Sequence, residues 1–195
     1  TSGSISFDGI PVNSAHRSSM AALRKRAQLV FQDPYSALNP KLTVGSALRE
    51  VLRHNGASKP AASAGAVRLL EEVGLQAADA EKHPSGFSGG QRQRIVIARA
   101  LAMEPEFLVL DESVAALDVQ IQRDVLELLD RIGRERKLTY LFISHDLDVV
   151  ASFCNRLIIL KNGRVIETGE TEQILCRPTE AYTAELLASR PKNLR

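Results

Sequence analysis

Three short stretches of this sequence combine residue types that bind phosphate, hold a hard cation and move a proton. The first is Phe87-Ser88-Gly89-Gly90-Gln91-Arg92-Gln93-Arg94, where a serine and two glycines run into a string of helix formers ending near Ala102. Ser88 is placed to cap that helix, and Gln91 three residues on completes a capping box. A helix begun this way presents backbone N–H groups and a positive dipole end, which together suit a phosphate. The second stretch is an acid pair, Asp111-Glu112, at the end of the apolar run Phe107-Leu108-Val109-Leu110. The third is Ser144-His145, at the end of the apolar run Tyr140-Leu141-Phe142-Ile143. A carboxylate offers hard oxygen to a divalent cation and a proton acceptor to water, and a neutral imidazole can hydrogen-bond a phosphate oxygen. Consecutive side chains on an extended segment point opposite ways, so Asp111 and Glu112 are expected to take different tasks. Each stretch alone is commonplace: a capped helix, a surface acid pair, a histidine after a strand. Their fixed order is not.

The elements that must position these groups follow from the pattern around them. Ser4-Ile5-Ser6-Phe7 reads as a short strand entering an Asp8-Gly9 turn. His16 to Arg26 has helical composition, with Arg17, Arg24, Lys25 and Arg26 on its wetted side. Ala27-Gln28-Leu29-Val30-Phe31 is a second apolar strand, broken by Gln32-Asp33-Pro34. The segment Asp33 to Pro40 is expected neither to continue that strand nor to begin a helix. Thr43 is placed as the N-cap of a helix whose Val44, Leu48, Val51 and Leu52 share a face. Asn55 to Gly65 reads as a small-residue link containing Pro60. Ala66, Leu69, Leu70 and Val73 then form a second amphipathic helix, ended by Gly74.

After Pro105 come a strand at 107–110, a helix from Val119 to Lys137 and a strand at 139–143. That is a βαβ unit with apolar strands, as expected where a parallel sheet is covered on both faces. A helix from about Asp146 to Phe153 leads to strands Arg156–Leu160 and Arg164–Glu167, joined at Lys161-Asn162-Gly163, a strong hairpin signal. Glu170 to Leu187 offers two short helices separated by Arg177-Pro178. The expected organisation is an α/β core begun by residues 1–40, interrupted by a helical subdomain at 41–103, resumed at 104–169, and followed by a helical tail at 170–195.

A chain of 195 residues fits one domain with at most a modest subdomain. Its 44% apolar and 25% charged residues are ordinary for a globular protein. With a formal charge of +2 and no basic block or aromatic–basic interleaving, no nucleic-acid partner is expected. Cys154 and Cys176 lack metal-ligand spacing, which points to a reduced, cytosolic chain. No apolar run approaches the roughly twenty residues that span a bilayer, so membrane association is expected to go through a partner.

Taken in order, these stretches closely resemble the nucleotide-binding domain of ABC transporters, from Gly3 to Leu187. The resemblance implies a P-loop NTPase-like α/β fold with a mainly parallel sheet and an inserted helical subdomain. It also implies ATP and Mg²⁺ as cofactors. Asp111 would then help hold Mg²⁺, usually through water, and Glu112 would polarise the water that attacks the γ-phosphate. His145 matches the switch histidine that bonds the γ-phosphate or that water. Gln32 matches the glutamine that reaches both Mg²⁺ and the water. Ser88, Gly89, Gly90 and Gln91 match the signature loop, which serves the ATP held by a second subunit. Asp118 matches the acid contacting that subunit, and on local grounds it is also placed to cap helix 119–137. A homo- or heterodimer is implied.

Within the family, Phe31-Gln32-Asp33-Pro34, Leu38-Asn39-Pro40 and Pro178-Thr179-Glu180-Ala181-Tyr182-Thr183 resemble the oligopeptide, dipeptide and nickel importer ATPases. That implies a peripheral subunit at the cytoplasmic face of the membrane, coupling ATP hydrolysis to uptake. Its partners would be integral membrane permease subunits and, indirectly, an extracytoplasmic solute-binding protein.

The sequence departs from the family in one large respect. The phosphate-cradling string Gly-x-x-x-x-Gly-Lys-Ser/Thr occurs nowhere in it. Thr1-Ser2-Gly3-Ser4-Ile5 resembles the segment that follows the P-loop helix, so some tens of residues are expected to precede Thr1. The chain as written is expected to bind ATP poorly, to hydrolyse it negligibly, and to leave apolar sheet surface uncovered, while its longer parent is an ATPase. Ser113 replaces a frequent proline, and Ala115-Ala116 a more usual pattern with serine; neither change touches a charged group. The competing readings are a non-catalytic regulatory partner in a heterodimer and a soluble ABC ATPase acting on nucleic acid or ribosomes. The latter usually carries coiled-coil insertions or two fused halves, which this sequence does not show. An exporter half is a further alternative.

Overall fold

The computed structural model describes residues 3–12 and 17–189. Thr1, Ser2 and His16, and residues 190–195 of the expected tail, lie outside the described residues. The chain divides into two compact units, Thr1–Ile143 and Ser144–Arg195.

In the first unit, β1 (Ser6–Phe7) and β2 (Ile10–Pro11) form an antiparallel hairpin. Asp8 and Gly9 both take positive φ, 50° and 75°, as a two-residue type I′ turn demands. Helix α1 (Arg17–Arg26) runs directly into β3 (Ala27–Val30). Beyond Gln32 the structure corrects the sequence reading, because Pro34–Ala37 forms a one-turn helix, α2. Asp33 caps it by accepting the Tyr35 N–H at 2.8 Å, and Pro34 occupies the first helical position, where a missing N–H is no loss.

Helix α3 (Val44–His54) starts at Thr43, whose Oγ1 accepts the Ser46 N–H at 3.2 Å. Helix α4 spans Lys59–Glu72, so most of the expected link is helical. Ser58 supplies its cap and Pro60 falls in its first turn, where proline does not break a helix. Gly65 stays small because a Cβ there would meet Leu52 Cδ1 at 3.0 Å. Gly74, at φ 77°, ends the helix. Two 3₁₀ turns, Ala77–Glu81 and Pro84–Gly86, lead into α5 (Gly89–Leu101).

Strand β4 (Phe107–Asp111), helix α6 (Val119–Arg136) and strand β5 (Thr139–Ile143) form the expected βαβ unit. The sheet order is β3-β4-β5 and both pairings are parallel. One face is core: Val30, Leu108 and Leu110 are fully buried, as are Ile97 and Leu101 of α5. Burying each such side chain contributes roughly 1.5–3 kcal/mol. The other face is not covered on both strands as their composition suggested. Leu29, Phe31, Leu141 and Ile143 are 43% to 56% exposed, in line with the expectation of uncovered apolar sheet surface. Arg136 of α6 grips Glu72 of α4 with a two-pronged fork, Nε–Oε1 at 2.6 Å and Nη2–Oε2 at 2.5 Å.

The second unit comprises α7 (Leu147–Phe153), β6 (Arg156–Lys161), β7 (Arg164–Glu170), α8 (Thr171–Cys176) and α9 (Ala181–Ala188). Strands β6 and β7 pair antiparallel around Asn162-Gly163, at φ 51° and 74°. Leu157, Ile159 and Ile174 make its small core, with Tyr182 and Leu186 packed against them. Glu167 of β7 points to the start of α9, accepting the Thr179 N–H and hydroxyl at 2.9 Å each and the Glu180 N–H at 3.3 Å. No described helix is long and apolar enough to cross a membrane.

Candidate functional site

The start of α5 is built as its residues dictate. Ser88 Oγ accepts the Gln91 N–H at 3.3 Å, and Gln91 Oε1 accepts the Ser88 N–H at 3.0 Å. That reciprocal cap uses the N–H of Gln91 and leaves those of Gly89 and Gly90, in the first turn, without an acceptor inside the helix. Ser88 and Gln91 are exposed, while Gly90 is buried. The burial of Gly90 has a cause: a Cβ there would stand 2.3 Å from Ile121 Cγ2 in α6. Ile121 is held by Asp118, whose Oδ1 accepts its N–H at 3.0 Å and caps α6. A Cβ on Gly89 would meet Leu117 Cδ2 at 3.8 Å, an ordinary van der Waals contact. The structure thus brings Gly89, Gly90 and Asp118 together, as two capped helix starts lying side by side.

The acids stand at the carboxyl end of β4, where open α/β sheets bind ligands. Asp111 is the last residue of the strand and pairs with Ile143. Glu112 is not extended, contrary to the alternation expected for the pair. It adopts φ 45°, the left-handed region, and donates its N–H to Ile143 O at 2.9 Å. A non-glycine residue in that region is costly and concentrates at functional sites. Asp111 and Glu112 are both half-buried. Val30 pairs with Leu110, so Gln32 and Glu112 each lie two residues past paired positions, at the same end of neighbouring parallel strands. Gln32 is exposed, directly before the Asp33 cap of α2. His145 belongs to the second unit and precedes Asp146, the N-cap of α7, whose Oδ1 accepts the Asp148 and Val149 N–H groups at 2.8 and 3.3 Å.

Several residues around these groups escaped the sequence reading. Arg92, Arg94 and Arg99 of α5 each tie down a different segment. Arg92 Nε donates to Pro84 O at 2.7 Å, Arg94 Nη1 to Val73 O at 3.2 Å, and Arg99 Nη1 to Ala37 O at 3.0 Å. A groove of about 870 Å³ opens beside the Gln32 segment, with Arg24, Leu29, Phe31, Glu50, His54 and Arg99 in its wall. The residues lining it are scattered through the chain, so no local signal announces it.

The donor set fits a magnesium nucleotide in part: carboxylates and an amide at strand ends for a hard cation, and a glycine helix start for phosphate. Residues 1–115 match the family described as ABC transporter. A Brucella ovis ATP-binding protein provisionally assigned to peptide import is 44% identical over 98% of this chain and 61% of its own length. A glutathione import ATP-binding protein of Pectobacterium atrosepticum is 40% identical over 97% of this chain and 30% of its own length. The chain therefore spans less than two thirds of the curated relatives it matches. Among solved structures, an ATP-binding cassette in a dimeric post-hydrolysis state with ADP and Pi superposes with a TM-score of 0.75 at 30% identity. That match covers 88% of this chain and 74% of the other. By family match, by identity to import ATP-binding proteins and by fold, this chain belongs to the ABC transporter family and corresponds to its ATP-binding domain.

Proposed function

We propose that this chain is the nucleotide-binding and ATP-hydrolysing part of an importer subunit for peptides or a related small solute, nickel included. The observation that supports this most directly is the pairing of two capped helix starts at Gly90 and Ile121. It offers the N–H groups of Gly89 and Gly90, with Ser88 and Gln91, to a phosphate held by a second ATPase subunit. Asp118 would face that subunit while capping α6. Mg²⁺ bound with ATP neutralises charge on the transferred phosphoryl group. Asp111 would hold the ion through water and Gln32 would serve as a further ligand. Glu112 would accept a hydrogen from the attacking water, and His145 would bond a γ-phosphate oxygen. The Gln32 amide can ligate the ion or bond the water without competing with Glu112 for its proton.

The import functions in the relatives' names support a peptide-like cargo. The groove beside Gln32, with the helical segment 41–103, would supply the docking surface for integral membrane permease subunits fed by an extracytoplasmic solute-binding protein. Such a subunit would sit at the cytoplasmic face of the membrane. The 195 residues alone would turn over ATP negligibly, because no Gly-x-x-x-x-Gly-Lys string within them supplies a phosphate lysine.

The test joins the intact mass of the natural polypeptide to Mg-ATP turnover. The expected results are a mass well above 21.3 kDa, turnover by that polypeptide that Glu112→Gln abolishes, and none by the 195-residue chain. Wild-type-like turnover by the short chain overturns its inactivity. A natural polypeptide that hydrolyses no ATP, even with its membrane partners, overturns the ATPase reading.

A further inference from the structure

We propose that Arg92 is a positioning residue that fastens the segment after Gln32 to the loop before Ser88. The catalytic consequence rests on the ATPase reading above; the fastening itself does not. Arg92 lies one turn into α5. Its edge faces the loop: Nε donates to Pro84 O at 2.7 Å and Nη2 to Ser85 O at 3.3 Å. Both carbonyls belong to the 3₁₀ turn that delivers Phe87 and Ser88. Its face lies on Tyr35 of α2, with Cζ 4.1 Å from the ring centroid.

The Tyr35 side is anchored to Gln32 by very short chain. Tyr35 follows Gln32 by three residues, and its N–H is held by Asp33 at 2.8 Å. Tyr35 is 64% exposed, so the stack, not burial, holds it against the surface. A guanidinium can hydrogen-bond along its edge and stack on its face at once, which an ammonium cannot do. Arg92 Nη1 is buried without an acceptor. The group is therefore not placed for its hydrogen bonds alone; one is given up while the ring contact is kept. The far end of α2 is tied to the same helix, because Arg99 Nη1 donates to Ala37 O at 3.0 Å. Arg92 and Arg99 are two turns apart and so lie on one face of α5. Helix α2 is fastened at both ends to the helix that begins at the signature loop. Gln32 and the Ser88 loop then move together, which couples the water-positioning amide at one ATP to the loop that meets the ATP of the second subunit.

Amide hydrogen exchange on the natural polypeptide, without nucleotide, tests the fastening without any activity. Tyr35→Ala is expected to speed exchange across residues 84–91 by about fivefold, the size of one partly exposed cation–π contact. Arg92→Lys is expected to do the same across residues 33–37, and Tyr35→Phe to leave both segments at wild-type rates. Tyr35 is exposed, so its loss does not threaten folding, and α3 serves as the internal control. Changes confined to the mutated segment overturn the proposal. In the ATP-hydrolysing polypeptide, Tyr35→Ala and Arg92→Lys are expected to lower kcat about fivefold at unchanged KM for ATP, with Tyr35→Phe near wild type. A raised KM at unchanged kcat overturns the positioning role. If the wild-type polypeptide hydrolyses nothing, the ATPase reading falls, while the exchange result still decides whether Arg92 joins the two segments.

Discussion

A methyl group on Gly90 would lie 2.3 Å from Ile121 Cγ2, so α5 and α6 can begin side by side only because one of them begins with glycine. Cγ2 of isoleucine sits on a branched Cβ and cannot swing aside as the tip of a longer chain could. Gly90→Ala therefore overpacks the contact, at a cost of about 1–3 kcal/mol, against a gain in helix propensity of at most about 1 kcal/mol. The net expectation is a lowered urea midpoint, partly restored by the added Ile121→Ala change. Gly89 is the control. Its nearest neighbour would be 3.8 Å away, so Gly89→Ala is expected to leave stability unchanged or raised. Equal midpoints for the two alanine variants would show that the helices part without cost.

Asp118 carries two assignments that substitution can separate. Its Oδ1 caps α6 through the Ile121 N–H at 3.0 Å, a contact that typically contributes about 1 kcal/mol. Asp118→Ala removes the cap and the charge; Asp118→Asn keeps an accepting oxygen and removes only the charge. The alanine variant is expected to unfold earlier, and the asparagine variant at the wild-type midpoint. If Asp118 also meets a second subunit, the asparagine variant should weaken ATP-dependent dimerisation in sedimentation while remaining as stable as wild type. An asparagine variant as labile as the alanine one would place the whole effect in the charge.

What the sequence disclosed was what lies close along the chain. Ser88 and Gln91 are three residues apart, so their reciprocal cap could be read directly, and so could the Asp8-Gly9 and Asn162-Gly163 hairpins. Helix α2 and the first half of α4 are equally local, yet their prolines read as loop and link, although Pro34 and Pro60 sit in first turns behind Asp33 and Ser58 caps. The conformation of Glu112 could not be read. Its φ of 45° goes with a hydrogen bond to Ile143 O on the adjacent strand, which no local pattern encodes. The same holds for Arg92 on Tyr35, a surface contact between segments far apart in sequence. Apolar composition likewise could not say which face of β3 and β5 is covered, since both faces read alike.

The two cysteines should differ in reactivity. Cys154 is half-buried beside the core of the second unit, and burial pushes its thiol above the ordinary value. Cys176 is exposed. The thiolate is the reacting species, so at pH 8 an aromatic disulfide reagent is expected to consume the thiols in two phases. Cys176→Ser should remove the fast phase and Cys154→Ser the slow one. A fast phase that survives Cys176→Ser would mean that Cys154 is opened by local motion.

Glu167 gives the second unit a sensitivity to acid whose sign follows from its surroundings. The Thr183 hydroxyl, then the Thr179 N–H, and beyond them the Thr179 hydroxyl and Glu180 N–H, hold its carboxyl below the ordinary glutamate value of 4.5. The carboxylate faces the start of α9, where a negative charge is favoured. The folded unit therefore takes up this proton less readily than the unfolded chain does. Its contribution to stability is complete above the unfolded value and is lost as pH falls through the lowered folded value. On acidification from pH 6, α9 should loosen below that point. Tyr182 reports it, because its ring packs on the Lys161 ammonium at 4.0 Å, and its resonances should move toward free-tyrosine positions. Glu167→Gln should start from a weaker attachment at pH 6 and lose this pH dependence. Thr179→Val, which removes one hydroxyl donor at 2.9 Å, should raise the pH at which α9 loosens. If wild type and Glu167→Gln release Tyr182 at the same pH, another acid sets the transition, and the contact between β7 and α9 is held by its apolar packing alone.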